Sequence, residues 1–249
     1  MPDETIVKFL NGHSGSKVML MESNRLFIRK VGNTERNFKK LTDLLSEDYP
    51  VPEIYSFSDD VLDMEYIHGL DIANYLLYNN ISKLNSFISN TIDKFKHTSK
   101  LKDYTEVYYK KLNYLDQDCV FPFTKDELIR RLPKFLPSTQ YHGDMTLENI
   151  ICSDDGKFYL IDPLESEYDS YIFDIAKMRQ DLDCLWFLRN STQKISTKVY
   201  SLQEKILQRY PEASDDNLLI LMLLRVYPNT KHGDMNREFL LKEIKRLWK

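Results

Sequence analysis

The stretch His142-Gly143-Asp144-Met145-Thr146-Leu147-Glu148-Asn149, followed after a short interval by Tyr159-Leu160-Ile161-Asp162-Pro163, decides how this chain is read. Its first half is polar and carries a glycine, as a tight loop does. Ile150–Ser153 and residues 157–161 then read as two short strands around the turn Asp154-Asp155-Gly156. Such a hairpin folds the chain back, so that Asp162 at a strand end returns towards the loop carrying Asp144 and Asn149. Three side-chain oxygens gathered this way suit phosphoryl transfer from a nucleotide. A triphosphate needs magnesium held by hard oxygen ligands, here Asn149 and Asp162. The attacking hydroxyl needs a carboxylate that orients it and takes its proton, here Asp144.

Outward from this core the chain changes texture. Thr5–Leu10, Lys17–Glu22 and residues 25–31 are short, rich in Ile, Val, Leu and Phe, and separated by turn residues, which predicts antiparallel strands. Phe38, Leu41, Leu44 and Leu45 repeat at helical spacing over 34–47, and Pro50 and Pro52 end that helix. Two further strands, 53–58 and 61–67, meet at an Asp59-Asp60 turn. After Gly69 the pattern becomes mostly helical, with Ile81, Leu84, Phe87, Ile88, Ile92 and Phe95 on one face of a long helix. The expectation is an α+β chain of two lobes: residues 1–67 an antiparallel sheet with one helix, residues 68–249 mostly helical, joined at 65–69.

The pairing of H-G-D-x-x-x-x-N with a following I-D resembles the aminoglycoside phosphotransferase and choline kinase family, relatives of the protein kinases. The resemblance implies a bilobal protein-kinase-like fold and an enzyme that uses ATP, or another nucleoside triphosphate, with Mg²⁺. It implies that the turn Gly12-His13-Ser14-Gly15-Ser16 meets the phosphates, with Ser14 and Ser16 as added donors, although an ordinary hairpin turn would look the same. The G-x-x-x-x-G-K-[ST] P-loop is absent. On the third strand Arg29 and Lys30 point to opposite faces, and periodicity alone does not choose between them. The resemblance favours Lys30 for the phosphates, with Glu35 on the following helix as its partner. A first-turn glutamate serves a helix dipole equally well. The backbone at Glu65 and Ile67 is implied to read adenine, while His142 and Asp174, the latter in Asp174-Ile175-Ala176-Lys177, are implied to hold the catalytic loop in place.

A second copy of the four letters, His232-Gly233-Asp234-Met235, serves as a control. Five residues past its aspartate stands Phe239, and no Ile-Asp hairpin follows, so Asp234 reads as the cap of the last helix.

Composition narrows the class. The formal net charge is -4 and the basic residues are dispersed, which argues against a nucleic-acid surface. The longest apolar run, 218–224, is far short of the ~20 residues that span a bilayer, so membrane insertion is not expected and the run reads as a buried helix. Cys119, Cys152 and Cys184 are scattered, without metal-ligand spacing. With no signal peptide at the start, they indicate a reducing, cytoplasmic setting.

The acceptor is less legible. Gly143, where choline kinases tend to carry Asn, points to the aminoglycoside side of the family and to a sugar or other small metabolite, with an amino alcohol as the alternative. Glu165, Glu167, Asp169, Asp181 and Asp183 place negative charge after Asp162 that could form an acidic rim able to bind a polyol or attract an amine, or simply a solvated surface. A catalytically inactive pseudokinase that binds partners, and nucleotidyl transfer in the same pocket, are the alternatives to phosphotransfer.

Overall fold

The computed structural model describes residues 4–10, 16–97, 99–117, 120–231 and 233–249, without the side chains of 116 and 117. The chain begins with β1 (Thr5–Leu10), β2 (Lys17–Glu22), β3 (Leu26–Val31) and helix α1 (Glu35–Ser46). Strands β4 (Ile54–Ser58), β5 (Val61–Glu65) and β6 (Gly69–Asp71) follow. Then come α2 (Ile72–Tyr78), α3 (Ser82–Phe95), β7 (Lys100–Asp103), α4 (Thr105–Lys111), α5 (Lys125–Arg131) and β8 (Phe135–Ser138). The hairpin β9 (Ile150–Ser153) and β10 (Phe158–Leu160) precedes α6 (Tyr171–Leu182), α7 (Ser196–Arg209), α8 (Asp216–Val226) and α9 (Met235–Leu247).

Contacts divide the chain into two compact units: Met1–Tyr75 with Glu148–Glu165, and Leu76–Leu147 with Ser166–Lys249. This departs from the expected division at 65–69, because the β9–β10 hairpin groups with the first unit. The reason is strand pairing. Gly69, Leu70 and Asp71 of β6 pair with Ser153, Cys152 and Ile151 of β9. Leu160 N–H also donates to Pro50 O at 2.8 Å. Gly69 permits this approach, since a Cβ there would collide with the Cys152 carbonyl.

In the first unit an antiparallel sheet runs in the order β1-β2-β3-β5-β4. Met19, Met21 and Phe27 form a buried cluster on one face, with Val31 and Tyr55 against it. Lys30 leaves β3 on the opposite side, as strand alternation requires. The β4–β5 turn is made by Asp59 and Asp60, both at positive φ (49° and 62°), which suits a tight hairpin of right-handed twist. The Asp60 carboxylate then accepts from Thr34 N–H at 2.6 Å and from the Thr34 hydroxyl at 2.9 Å, tying the start of α1 to that hairpin.

The second unit is built on α6 and α8. All seven residues of the apolar run, 218–224, are fully buried within α8, as the sequence indicates. Every residue of α6 is buried, including Asp174, Lys177, Arg179, Gln180 and Asp181. Of these, Asp174, Lys177 and Asp181 find partners in the loop at 142–147, Arg179 binds Asp183 and Asp216, and the Gln180 amide has no hydrogen-bond partner among the described residues. Among the described residues, no helix is long and apolar enough to cross a membrane.

Candidate active site

In the first unit, three elements meet at Asp162. Lys30 of β3, almost wholly buried, pairs with Asp162 Oδ1. Asn37 of α1 donates its amide to the same oxygen at 2.8 Å and to Pro163 O at 2.8 Å. Both contacts converge on Oδ1, so Oδ2 takes part in neither. Asp162 follows β10 and holds φ at +57°, a left-handed conformation that aspartate tolerates better than most residues. Asn149 is joined to this corner by its carbonyl, which accepts from Ile161 N–H at 2.9 Å. A partly exposed carboxylate and an asparagine carried by one hairpin offer hard oxygens. They fit magnesium, which takes one or two protein oxygens and completes its shell with water and phosphate.

In the second unit the loop from His142 is gripped by one face of α6. The Asp174 carboxylate, 1% exposed, accepts from His142 N–H at 2.5 Å and Gly143 N–H at 2.8 Å. One turn on, Lys177 Nζ lies 3.2 Å from Asp144 Oδ1. A further turn on, the fully buried Asp181 accepts from Leu147 N–H at 2.7 Å and, through its other oxygen, from Phe187 N–H at 3.1 Å. Positions 174, 177 and 181 are spaced i, i+3, i+7, a single stripe on a helix. Gly143 sits at φ +86°, where a side chain would be strained, and its carbonyl accepts from Arg225 Nη2 of α8 at 3.1 Å. His142 Nδ1 accepts from Asp144 N–H at 3.3 Å, an internal brace of the loop. Burial pushes the Asp144 carboxyl towards the protonated form. Lys177, Arg225 and then His142 more than offset this, and it is held below the usual aspartate range.

The remaining expectations are placed as follows. Lys30, not Arg29, is the buried cation that pairs with Asp162; Arg29 lies on the other face of the strand, held by Asp63 and Glu4. Glu35 is not brought to Lys30. It is exposed and pairs with Lys39 at 2.8 Å, because the buried stripe of α1 is Asn37, Lys40, Leu41 and Leu44. The inward group on that helix is therefore Asn37, two residues on. Ser16 is buried, and Ser14 lies outside the described residues. Glu65 N–H donates to Glu53 O at 2.8 Å, and Ile67 lies buried just past the end of β5. Asp234 caps α9, accepting from Asn236 N–H at 3.0 Å.

The acidic rim is largely dissolved by the structure. Asp181 is spent on backbone N–H groups, and Asp183 binds Arg179 at 2.7 Å. Asp169 takes Lys102 at 2.6 Å together with the Ser138 and Tyr104 hydroxyls. Glu167 pairs with Lys110 and Lys111, whose hydrogen bonds draw its carboxyl down to about 2. Of the five only Glu165 is exposed. The sequence reading did not name Asn37 or Arg225, gave Lys177 no role, and took Asp181 only as part of the acidic rim. Polar residues at helical spacing inside an otherwise apolar segment are the signal that could have found three of them.

Solved structures share this architecture. A Plasmodium vivax ethanolamine kinase superposes with a TM-score of 0.63 at 13% identity, covering 99% of this chain and 82% of the other. The choline kinase LicA from Streptococcus pneumoniae gives 0.59 at 16% identity, covering 97% and 93%. The aminoglycoside phosphotransferase APH(2")-IIa, solved as a ternary complex with streptomycin and ATP, gives 0.55 at 14% identity, covering 87% and 82%. This is the protein-kinase-like fold of the small-molecule kinases. No protein-family model matches the sequence, and a comparison with curated proteins finds no match. At these identities the kinase likeness is one of fold, and the chemistry rests on the residues themselves.

Proposed function

We propose that this protein is an ATP- and magnesium-dependent phosphotransferase that moves the γ-phosphate to a hydroxyl of a small molecule, a sugar or related metabolite. The observation that carries the reading is Asp144, an ionised carboxylate on a loop whose backbone is pinned by two buried acids. A carboxylate on so fixed a loop supports the reading, because a general base is judged by its geometry before its proton affinity. In this reading Asp144 orients the acceptor hydroxyl and takes its proton as the new P–O bond forms and the bond from the γ-phosphorus to the bridging oxygen breaks, releasing ADP. Lys30 steadies the phosphates, the backbone at Glu65 and Ile67 reads the base, and Ser14 and Ser16 lie on the phosphate turn. Asn149 and Asp162 would hold the metal, and a bound magnesium ion would supply neutralisation of phosphate charge. His142 and Asp174 keep the loop in shape.

A neutral acceptor is favoured over an amine. The cations Lys177 and Arg225 act on Asp144, while four of the five acids after Asp162 are engaged within the protein. A polycation would meet like charge next to the base.

The test is an ATP-consumption screen against sugars, amino alcohols and aminoglycosides with product masses recorded. A product heavier by one phosphoryl group is expected for a neutral sugar, and transfer of a nucleotidyl group would refute the reading. Asp144→Asn should lower kcat by about 10²–10⁴-fold with little change in ATP affinity. In a thermal-shift titration, ATP with Mg²⁺ at a hundred times its Kd should stabilise the wild type by about 2.7 kcal/mol and Asp162→Ala far less.

A further inference from the structure

We propose that Lys177 is a positioning residue for the transfer, fixing the orientation of the Asp144 carboxylate from the buried face of α6. The inference rests on the reading of Asp144 as the base and extends it to a residue that neither the loop motif nor the fold assigns.

A lysine is among the least often buried residues, and the Lys177 side chain is only 8% exposed, so its ammonium must have a partner. Helical spacing offers two on α6 itself: Asp174 three residues before it and Asp181 four residues after. Both are committed elsewhere. Asp174 takes the N–H groups of His142 and Gly143, and Asp181 those of Leu147 and Phe187. The ion pair Lys177 makes is with Asp144, across to the loop. One stripe of α6 thus touches the loop three times: acid on backbone at its start, cation on the carboxylate, acid on backbone at residue 147. The two acids set the path of the loop. The cation between them fixes the side chain that the path presents. Deleting the ammonium leaves the Asp144 carboxylate with Arg225 and His142 as the remaining groups that favour its ionised form.

This predicts a signature that a merely structural lysine would not give. The readout is a ¹³C NMR titration of the Asp144 carboxyl in aspartate-labelled protein, assigned by the signal lost in Asp144→Asn. It is run without nucleotide, so it does not depend on kinase activity. In the wild type the midpoint should lie below the ordinary aspartate range. In Lys177→Met it should move to higher pH, since burial then meets less opposition, and Lys177→Arg should stay near the wild type. If Lys177→Met does not fold, Lys177→Gln replaces it with the same expected rise. A midpoint unmoved in the uncharged variant overturns the proposal. In the turnover arm, ATP hydrolysis with water as the acceptor should fall by about a hundredfold in Lys177→Met at unchanged KM for ATP, with partial recovery in Lys177→Arg. Equal turnover in Lys177→Met and wild type also overturns it. A wild type without any ATP turnover would count against the phosphotransferase reading, while the NMR midpoints would still decide whether Lys177 holds the Asp144 carboxylate.

Discussion

Replacing Asp174 by Asn changes one oxygen into an NH₂ group and tests how the loop is held. The native carboxylate accepts two backbone N–H groups, from His142 at 2.5 Å and Gly143 at 2.8 Å, and His142 is fully buried. An asparagine there has a single acceptor oxygen, so one buried N–H loses its partner and faces a second donor. Leaving one such group unsatisfied costs about 1–3 kcal/mol, and Asp174→Ala, which strands both, about 2–6 kcal/mol. Against a typical total stability of about 5–15 kcal/mol these are large fractions. At about 2–4 °C per kcal/mol for a chain of this size, Asp174→Asn should lower Tm by roughly 2–12 °C. Trp186 and Trp248 both lie in the second unit, so tryptophan fluorescence during urea unfolding reports on the unit that contains the change. This matters because a chain of two units need not unfold in one step. If Asp174→Asn unfolds within about 0.5 kcal/mol of wild type, inside the range of an ordinary surface change, the two bonds are not holding the loop.

Two further outcomes follow from the same geometry. Asn37→Ala, which removes the amide bound to Asp162 and Pro163, should destabilise by about 1–3 kcal/mol and weaken the magnesium-dependent thermal shift given by ATP, whereas Glu35→Ala should change neither; equal effects would return Glu35 to the site. Asp234→Ala should cost about 1 kcal/mol by calorimetry through loss of the α9 cap and leave turnover intact, and a loss of activity comparable with that of Asp144→Asn would undo the choice between the two H-G-D copies.

What the sequence made legible was local. Strands of β2 and β3, the Asp59-Asp60 turn and the 150–160 hairpin announce themselves through alternation and turn residues within a few positions. The phase of α1 was harder, because Phe38 and Leu45 suggested a face that the helix does not bury. The chain buries Asn37 and Lys40 beside Leu41 and Leu44. A polar pair in the buried stripe hides the stripe, so nothing in the spacing speaks against Glu35, the partner that the resemblance implies. The acidic segment after Asp162 misled in a different way. Lys102 and Lys110, which neutralise Asp169 and Glu167, precede the segment by more than fifty residues, so nothing nearby in sequence shows that those two charges are spent, whereas Arg179 lies only four residues before Asp183. α6 lacks the clear two-sided pattern of a surface helix because it has no solvent side.

The two copies of His-Gly-Asp-Met show where motif letters stop carrying the structure. Gly143 and Gly233 share a left-handed backbone, at φ +86° and +78°, so the glycine conformation is common to both copies. Past that point the copies diverge. Asp234 turns its carboxylate onto Asn236 N–H and starts a helix, which consumes it locally. Asp144 starts no regular helix beside it. Its loop is drawn instead against Asp174, Lys177 and Asp181, and its own carboxylate is met by Lys177. An aspartate that finds its partner two residues on becomes a cap, while one whose backbone and side chain are answered by a distant helix is held in place with its charge intact. The difference between a cap and a candidate base therefore lies outside the four letters, in the stripe at 174, 177 and 181. A change to that stripe should turn the first copy into something as inert as the second without altering the motif at all.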